Sequence, residues 1–421
     1  MKEKKSSFLS RLGPGFITGA SDDDPSGIAT YAQTGAIFGY VQLWMVLWTL
    51  PFMIAVQEMC GRIGLVTGKG LSGVIRRHYS RKLLAAAVFL LLVANTINIG
   101  ADLGAMASAA QLLVPVPFTV LLLLMTALTL TMEIFITYKT YAKYLKYLAL
   151  SLFAYFLVAF TVTQDWMAIL VHTFVPHIAF TQEYLMNVVA FLGTTISPYL
   201  FFWQANEEVE EEVACGKLRA MGVGKPRIDD CDVRAMQHDT AFGMFFSNLV
   251  TFFIITTTAS TLHANGIFKI QTAADAAEAL RPLAGNFAYV LFALGIIGTG
   301  LLAVPVLAGS ASYAVSEAFK WREGLYLKFE KAHGFYGVIT IATLLGLLVN
   351  FLPISPFAML YYTAVVNGII APPLMVVILL IANNRRIMGA RVNSVRANIF
   401  GITITAVMGV AGVAMIVSLL R

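Results

Sequence analysis

The sequence predicts an all-α membrane protein with eleven transmembrane helices, and two properties of the chain support this fold class. First, 58% of the 421 residues are hydrophobic and only 12% are charged, about half the charged fraction of an ordinary soluble domain. Second, the apolar residues form eleven segments of roughly 20 residues or more, the length that a membrane helix needs. We therefore expect a lipid bilayer to surround much of the chain.

The eleven segments leave no room for a soluble domain, so residues 1–421 form a single polytopic domain. The predicted spans cover about 12–39, 42–66, 83–113, 116–137, 142–163, 184–204, 238–262, 286–316, 333–352, 356–383 and 398–420. Gly, Pro and polar residues interrupt the first and the sixth span near the middle. Two broken spans at corresponding positions allow an inverted repeat of five plus five helices, about 12–163 and about 184–383, with an extra helix at about 398–420.

Basic residues are unevenly distributed between the connecting segments. If the N-terminus is cytoplasmic, 26 of the 29 Lys and Arg residues lie on the cytoplasmic side. This asymmetry predicts a cytoplasmic N-terminus and, with an odd number of spans, a C-terminus outside. The short basic clusters are typical of membrane topology and do not suggest nucleic acid as a partner. The three cysteines show no metal-ligand or disulfide spacing, and the N-terminus does not resemble a cleavable signal peptide.

The first broken span contains three consecutive acids, Asp22, Asp23 and Asp24, followed by Pro25. Charged residues at this depth cost roughly 2.5–3.5 kcal/mol each, so they are functional by default. Pro25 and Gly27 predict an unwound segment with unpaired backbone carbonyls. Carboxylate and carbonyl oxygens suit a hard divalent cation, so we predict Asp24 as a metal ligand. For Asp22 and Asp23, solvated acids that line a water-filled vestibule are an equally good interpretation.

The sixth span is interrupted at Pro198, which lacks a helical donor. The residues before it, Thr194, Thr195 and Ser197, offer small oxygen groups. Such side chains often bond back to their own helix, so a simple kink is the alternative to a ligand site. The match to the break in the first span favours the ligand site.

Other polar residues lie within the predicted spans. Asn95, Asn98 and Asp102 are spaced by three and four residues, which places them on one helical face. We predict a metal pathway for Asp102, whereas hydrogen bonding between helices is the favoured interpretation of the asparagines. Asn367, five residues before a Pro-Pro pair, is a weaker candidate for the pathway or for helix association.

Five glutamates follow the sixth span. They are Glu207, Glu208, Glu210, Glu211 and Glu212. A solvated extension of the helix is the favoured interpretation, and attraction of cations towards the inner mouth is the alternative.

Several motifs resemble those of the Nramp family of divalent metal transporters, and the resemblance covers nearly the whole chain. They are Gly13-Pro14-Gly15-Phe16, Asp24-Pro25, Ala29-Thr30, Phe38-Gly39-Tyr40, the stretch from Gly61 to Lys69, Asp102-Leu103, the stretch from Gly193 to Pro198, and Met388-Gly389. The resemblance implies a LeuT-like inverted repeat with a metal ion between the unwound first and sixth spans. Asp24 matches the family's aspartate ligand.

The chain departs from the family pattern at three site positions. Gly27 replaces a ligating Asn, Ser197 replaces a Met and Tyr199 replaces a His. Loss of the soft thioether leaves an oxygen-only site with added room, which suits a partly hydrated Mg²⁺. Backbone carbonyls near Asp24 and Thr194, Ser197 and water are the expected further ligands.

The family's proton route is also altered. At its positions stand Tyr199, Asn95, Ala105 and Asp102, and only Asp102 remains an acid. This pattern resembles the Nramp-related magnesium transporter branch, which implies transport of Mg²⁺ and Mn²⁺ without proton coupling. The resemblance places such a protein in a bacterial-type plasma (inner) membrane.

Three alternatives remain open beside this interpretation. One is a proton-coupled Mn²⁺/Fe²⁺ importer of the standard Nramp type. Another is a sodium-coupled amino-acid carrier on the same fold, although three acids at the break disfavour an anionic substrate. The last is a membrane enzyme, for which no nucleophile–base pair is found in the sequence. We expect divalent metal ions as the substrate, the bilayer as surroundings and no cofactor, while the sequence leaves the oligomeric state unknown.

Overall fold

The computed structural model describes residues 13–136 and 153–420. Its helices are α1 Pro14–Asp22, α2 Pro25–Phe38, α3 Trp44–Thr67, α4 Leu71–His78, α5 Arg81–Gln111, α6 Phe118–Phe135, α7 Phe153–Thr161, α8 Trp166–Phe174, α9 Gln182–Thr195, α10 Pro198–Ala214, α11 Asp230–Thr261, α12 Ala273–Glu278, α13 Arg281–Ala284, α14 Ala288–Phe319, α15 His333–Val349, α16 Pro356–Ala382, α17 Arg385–Met388 and α18 Val395–Leu419. The described residues form no strand beyond one isolated bridge between Ala220 and Val223.

Eight helical stretches in the described residues are long and apolar enough to cross a membrane. They correspond to the predicted spans at 42–66, 83–113, 116–137, 184–204, 238–262, 286–316, 356–383 and 398–420. The first predicted span is instead two short helices, α1 and α2, and the ninth is α15, of 17 residues. Much of the predicted span 142–163 lies outside the described residues, which include only its last part as α7.

Close backbone contacts join the broken spans to their neighbours. A Cβ added at Gly15 or Gly19 of α1 would overlap the backbone of Thr240 or Gly243 in α11. A Cβ added at Gly193 of α9 would likewise overlap α16. Small residues permit such approaches between membrane helices. The first half of each broken span is therefore in direct backbone contact with a long helix: α1 with α11, and α9 with α16.

We call one end of the bundle the basic end, because basic side chains at the ends of α3, α4 and α10 and after α17 lie there. They are Arg62, Arg76, Lys217 and Arg391. Here α1 begins against the start of α11, because Asp239 accepts hydrogen bonds from the amides of Gly13 and Gly15 at 2.9 and 2.7 Å. The end of α3 lies here too, since Arg62 donates to the Arg391 carbonyl that follows α17. A carboxylate at the positive end of the α1 dipole stabilises that helix terminus.

Candidate metal site at the two helix breaks

The first break lies between α1 and α2, where Asp23 and Asp24 leave the helical conformation. Asp24 has extended backbone and caps α2, with Pro25 at the first helical position. Its Oδ1 accepts hydrogen bonds from the Gly27 amide at 2.6 Å and from the Ser26 hydroxyl at 2.7 Å. An aspartate followed by proline is a favoured way to start a helix, so the local sequence itself dictates this break.

The other oxygen of Asp24 points to α5. Asn98 donates from Nδ2 to Asp24 Oδ2 at 2.9 Å, while its own Oδ1 has no hydrogen-bond partner. Asp102, one turn further along α5, is fully buried and neither carboxylate oxygen makes a well-formed hydrogen bond. Its carboxylate lies close to that of Asp24 and to the Ser26 amide. The structure thus brings Asn98 and Asp102 to the first break.

The second break separates α9 from α10 at Ile196 and Ser197. Pro198 has no amide hydrogen, so the Thr194 carbonyl lacks its helical donor. The Ser197 hydroxyl replaces it, donating to the Thr194 carbonyl at 2.7 Å and to the Gly193 carbonyl at 2.8 Å. Thr195 also bonds back to its own helix, at 2.8 Å from the Phe191 carbonyl. Both hydroxyl groups donate their hydrogen to carbonyls of α9, so their oxygen lone pairs remain available to accept.

Tyr199 ties the two breaks together. Its hydroxyl donates to the Ser21 carbonyl at 2.9 Å. In a continuous helix this carbonyl would be the partner of residue 25, which as Pro25 has no hydrogen to give. The first break therefore has its open carbonyl satisfied by the first turn of α10.

Gly27 marks the place where oxygens of both breaks converge. A Cβ built on Gly27 would stand 3.2 Å from the Asp22 carbonyl oxygen, 3.2 Å from Thr194 Oγ1 and 3.3 Å from Asp24 Oδ1. These three nearest atoms are all oxygens, and Thr194 Oγ1 has no hydrogen-bond partner. A small space lined by carbonyl, hydroxyl and carboxylate oxygens is suited to a hard cation.

The carboxylates of Asp22 and Asp23 have a different hydrogen-bond partner from that of Asp24. Ser247 of α11 donates to Asp22 Oδ2 at 2.6 Å and lies 3.3 Å from Asp23 Oδ1. Both side chains are buried, with 0% and 3% of their surface exposed. In this structure they are therefore not the solvated acids of the vestibule interpretation. They form a second carboxylate pair at the same break.

Asn95 and Asn367 occupy different surroundings. Asn95 donates to the Leu307 carbonyl at 2.8 Å and to the Ser310 hydroxyl at 2.6 Å, which joins α5 to α14. These bonds agree with the helix-association interpretation. Asn367 is buried in α16 and its Nδ2 has no hydrogen-bond partner. Its neighbour Gly368 packs against α9 near Gly193.

The charge balance of the site is unusual for a protein interior. Asp22, Asp23, Asp24 and Asp102 are all buried, and no Lys, Arg or His in the described part of the chain pairs with them. No group of three His, Cys, Asp or Glu side chains in that part is arranged to hold a metal ion by itself. Uncompensated buried charge is costly, so these carboxylates require a cation or protons.

The glutamates after the sixth span differ from their favoured interpretation as a solvated extension. Glu207, Glu208, Glu210 and Glu212 are buried within α10. Glu208 accepts from the amide of Gln204 at 2.9 Å. The helix is covered here because α3 and α14 pack against it. The location of these glutamates after a predicted span did not reveal their burial, because burial here depends on which helices pack against α10.

A cavity of about 240 Å³ opens at the basic end, between the starts of α1 and α11 and the end of α10. It is lined by five acids and one base. They are Glu208, Glu211, Glu212, Asp232, Asp239 and Lys217. Such a cavity concentrates cations by its negative potential.

Two polar residues near or within the bundle were missed by the sequence analysis. Ser247 lies at the first break, but a lone serine in an apolar helix gives no signal. Glu133 is buried in α6 with both oxygens unpartnered among the described residues. An acid inside the predicted span 116–137 was a usable signal, because intramembrane acids are rare.

The sequence matches the Nramp family profile, described as natural resistance-associated macrophage protein-like, over residues 15–418. A relative from Caldanaerobacter subterraneus subsp. tengcongensis, named divalent metal cation transporter MntH, is 24% identical over 407 residues, which are 95% of this chain and 90% of the relative. A protein of the same name from Klebsiella pneumoniae (strain 342) is 26% identical over 410 residues, 95% of this chain and 92% of the relative.

Solved structures share the fold. A manganese transporter from Eremococcus coleocola, in complex with an aromatic bis-isothiourea substituted compound, superimposes with a TM-score of 0.80 at 14% identity, covering 98% of this chain and 87% of that one. Mhp1, a nucleobase-cation-symport-1 family transporter in a closed conformation, gives a TM-score of 0.54 at 12% identity, covering 97% and 90%.

The comparisons confirm two predictions made from the residues. The named relatives are transporters, which agrees with the prediction that the chain is not an enzyme. The family resemblance, read first from the Asp24-Pro25 break, is confirmed by a match over nearly the whole chain. This chain is therefore a member of the Nramp family.

Proposed function

We propose that this chain carries divalent metal cations, Mg²⁺ and also Mn²⁺, across a membrane by alternating access without proton coupling. The observation that carries the proposal is the set of four buried carboxylates at the first break with no cationic side chain beside them in the described residues. A dication moving through the bundle supplies the missing positive charge. The names of the relatives, divalent metal cation transporter and manganese transporter, support the same substrate class.

The ligand set is proposed around Gly27. Asp24 Oδ1, Thr194 Oγ1 and the Asp22 carbonyl surround its open side. Asn98 Oδ1 and Asp102 add further oxygens nearby, and neither is satisfied by a hydrogen bond. Mg²⁺ holds several waters when bound, so unsatisfied acceptors around a small space suit a partly hydrated ion.

Ser197 and Thr195 complete the proposed site from the second break. Because their hydroxyl hydrogens bond to helix carbonyls, their lone pairs remain for a cation or its water. An oxygen at position 197 discriminates less against Mg²⁺ than the thioether of the family pattern would. Gly27 in place of a ligating Asn leaves space for water. These two substitutions are the reason to propose Mg²⁺ before transition metals.

Absence of proton coupling is proposed from the residues at the family's proton route. Tyr199 bonds to the Ser21 carbonyl, and Asn95 bonds to α14, so neither is placed as an acid or base. Among the positions of that route, Asp102 alone is an acid. A single acid beside the metal site balances charge but does not form a relay.

Alternating access is proposed because the site is closed. Asp24, Asp102, Thr194 and Ser197 are each at most 1% exposed, so an ion reaches them only after helices move. The proposed inverted repeat of about 12–163 and about 184–383 contains two broken spans, and their half-helices can hinge at the breaks. On the basic end, the acidic cavity lined by Asp239 and Glu208 leads towards α1 and is the proposed inner vestibule.

Reconstitution into proteoliposomes tests the proposal. An internal Mg²⁺ dye and an internal pH dye are recorded together while Mg²⁺ or Mn²⁺ is added outside. We expect Mg²⁺ uptake, competition between the two metals and no acidification that follows the metal. Empty liposomes and the Asp24→Asn variant are the controls. Absence of Mg²⁺ flux, or a proton flux proportional to metal flux, overturns the proposal.

A second candidate is proton-coupled import of Mn²⁺ or Fe²⁺. The observation that favours it is Asp102, buried without a hydrogen bond close to Asp24, a position from which metal binding would expel a proton. The two candidates differ in one measurement. Under the second, Mn²⁺ uptake acidifies the lumen and a millimolar excess of Mg²⁺ does not compete.

The proposed location is a bacterial-type inner membrane with the N-terminus and the basic end in the cytoplasm and the C-terminus outside. The native cysteines provide a test. Cys215 and Cys231 are exposed at the basic end, and Cys60 is buried in α3. An impermeant maleimide added to intact spheroplasts should label neither exposed cysteine, and should label both after permeabilisation. Labelling of intact spheroplasts contradicts this orientation.

A further inference from the structure

A second cavity at the basic end lies away from the metal site. It has a volume of about 830 Å³ and is bounded by α4, the first turns of α5 and the end of α14. Five basic side chains line it: Lys69, Arg76, Arg77, Arg81 and Lys320. No carboxylate is among its lining residues. The cavity is therefore a concave, strongly positive surface.

Three of these five positive charges, those of Arg77, Arg81 and Lys320, have no carboxylate partner in the described part of the protein. Arg76 donates to the backbone carbonyl of Glu317 and Lys69 to that of Gly222. The carboxylates of Glu317 and Glu323 lie near both side chains and offset part of their charge. Arg77, Arg81 and Lys320 make no side-chain hydrogen bond or ion pair within residues 13–136 and 153–420. Burial and the neighbouring Arg77 lower the pKa of Lys69. Like charges close together in one cavity repel one another, and a bound anion would relieve this repulsion.

Lys320 adds a backbone observation. It ends α14 with φ at +61°, and it is the single non-glycine residue with positive φ in the described chain. This left-handed position is ordinarily taken by glycine, because a Cβ is disfavoured there. A lysine at such a place adds a charge to the cavity against the local backbone preference.

The other half of the cavity is apolar. Leu84, Val88 and Leu92 line it along one face of α5. Phe89 and Phe319 also line it and are 64% and 66% exposed, so the cavity opens to the lipid-facing surface. The twelve residues from Arg81 to Leu92 span roughly 16 Å of helix, about half the thickness of the hydrocarbon core. The groove is thus about one leaflet deep.

We propose that this cavity binds an anionic phospholipid of the leaflet at the basic end. The phosphate lies among the five basic side chains, and an acyl chain lies along α5 over Leu84, Val88 and Phe89. Basic pockets between membrane helices are recognised sites for anionic headgroups. An inorganic phosphate would use the basic half but not the groove. The lipid contacts α5, which also carries Asn98 and Asp102 at the metal site.

The test uses the full chain, purified in detergent and stripped of lipid. Thermal stability and native mass spectra are recorded with phosphatidylglycerol, phosphatidylcholine or inorganic phosphate. We expect phosphatidylglycerol alone to bind in defined stoichiometry and to raise the unfolding temperature. Protection by phosphate at equal concentration, or equal protection by phosphatidylcholine, overturns the proposal.

Two variants separate the halves of the cavity. The triple variant Arg77→Gln, Arg81→Gln and Lys320→Gly removes three charges, and its glycine suits the left-handed backbone. We expect roughly 100-fold weaker phosphatidylglycerol binding from three lost charges. Ala85→Trp keeps every charge and fills the groove, and it should weaken binding of the lipid but not of a short-chain glycerophosphate.

A matched control removes three basic residues that lie at the same end but outside the cavity: Arg385→Gln, Arg386→Gln and Arg396→Gln. All three are exposed. The control should bind phosphatidylglycerol as the unmodified chain does. An equal loss in the control and in the cavity triple variant would mean that general surface charge attracts the lipid, and the proposed site would be abandoned.

Discussion

Replacing Asp24 by asparagine separates two tasks that this side chain performs. Asp24 caps α2 through Oδ1 and accepts from Asn98 through Oδ2. Asparagine is as good an N-cap as aspartate, so the bonds from Gly27 and Ser26 can persist. In the unmodified chain Asn98 Oδ1 has no hydrogen-bond partner. A 180° rotation of the Asn98 amide group would bring this oxygen to residue 24, where the new amide nitrogen can donate to it. The variant therefore removes the charge and keeps the local structure.

The size of the effect follows from the lost charge. Two unit charges about 4 Å apart attract by roughly 4 kcal/mol at an effective dielectric constant of about 20, and a dication doubles this to roughly 8 kcal/mol. Desolvation offsets most of that energy. If a third of it remains, the loss is about 2.7 kcal/mol, or roughly 100-fold in the specificity of transport.

The assay compares Mg²⁺ uptake by proteoliposomes and the unfolding midpoint of Asp24→Asn, Asp24→Ala and the unmodified chain. We expect Asp24→Asn to lose about 100-fold in transport Vmax/KM with little change in stability. Asp24→Ala should lose the cap as well, at a cost of about 1 kcal/mol. Uptake by Asp24→Asn equal to that of the unmodified chain would refute the assignment of Asp24 as the charged ligand.

Three further predictions concern the breaks and the anchoring of α1. Ser197→Met introduces a thioether and should raise the preference for Mn²⁺ over Mg²⁺ about tenfold in competition uptake. Ser197→Ala, which adds no sulfur, should leave this preference unchanged. An unchanged Mn²⁺/Mg²⁺ uptake ratio in the Met variant contradicts the oxygen-only site. Gly27→Ala places a methyl group 3.2 Å from two oxygens and should lower metal uptake at least about tenfold. The control is Gly409→Ala, where a Cβ meets nothing within 4 Å. Equal uptake by the two variants argues against a metal site at Gly27. Asp239→Asn weakens three charge-assisted hydrogen bonds to the start of α1 and should destabilise the protein by about 1 kcal/mol in thermal unfolding. Asp229→Asn, at the exposed cap of α11, should leave the stability unchanged. A larger loss of stability in Asp229→Asn than in Asp239→Asn would show that Asp239 does not anchor α1.

The fold class and the positions of the breaks could be read directly from the sequence. Apolar segments of span length and the proline-containing breaks are local properties, because bilayer thickness sets the first and backbone chemistry sets the second. Asp24 followed by Pro25 starts a helix wherever it stands, so the first break did not depend on the rest of the chain. The same holds for Ser197 and Pro198 at the second break.

The direction of each polar side chain could not be read in that way. Asp22, Asp23 and Asp24 are consecutive, yet two carboxylates turn to Ser247 of α11 and the third to Asn98 of α5. Asn95 and Asn98 share one helical face, yet one joins α14 and the other joins the site. Which neighbour faces a residue depends on helix packing, which sequence spacing does not contain.

The sequence by itself determined a membrane protein, two interrupted spans and an intramembrane aspartate beside a proline, because hydropathy and backbone chemistry act over a few residues. Only the tertiary structure decided that the two breaks meet. The contact between Tyr199 and the Ser21 carbonyl, and the oxygens around Gly27, join residues more than 150 positions apart. The physical reason is that backbone contact at Gly15, Gly19 and Gly193 fixes how the half-helices lie against α11 and α16.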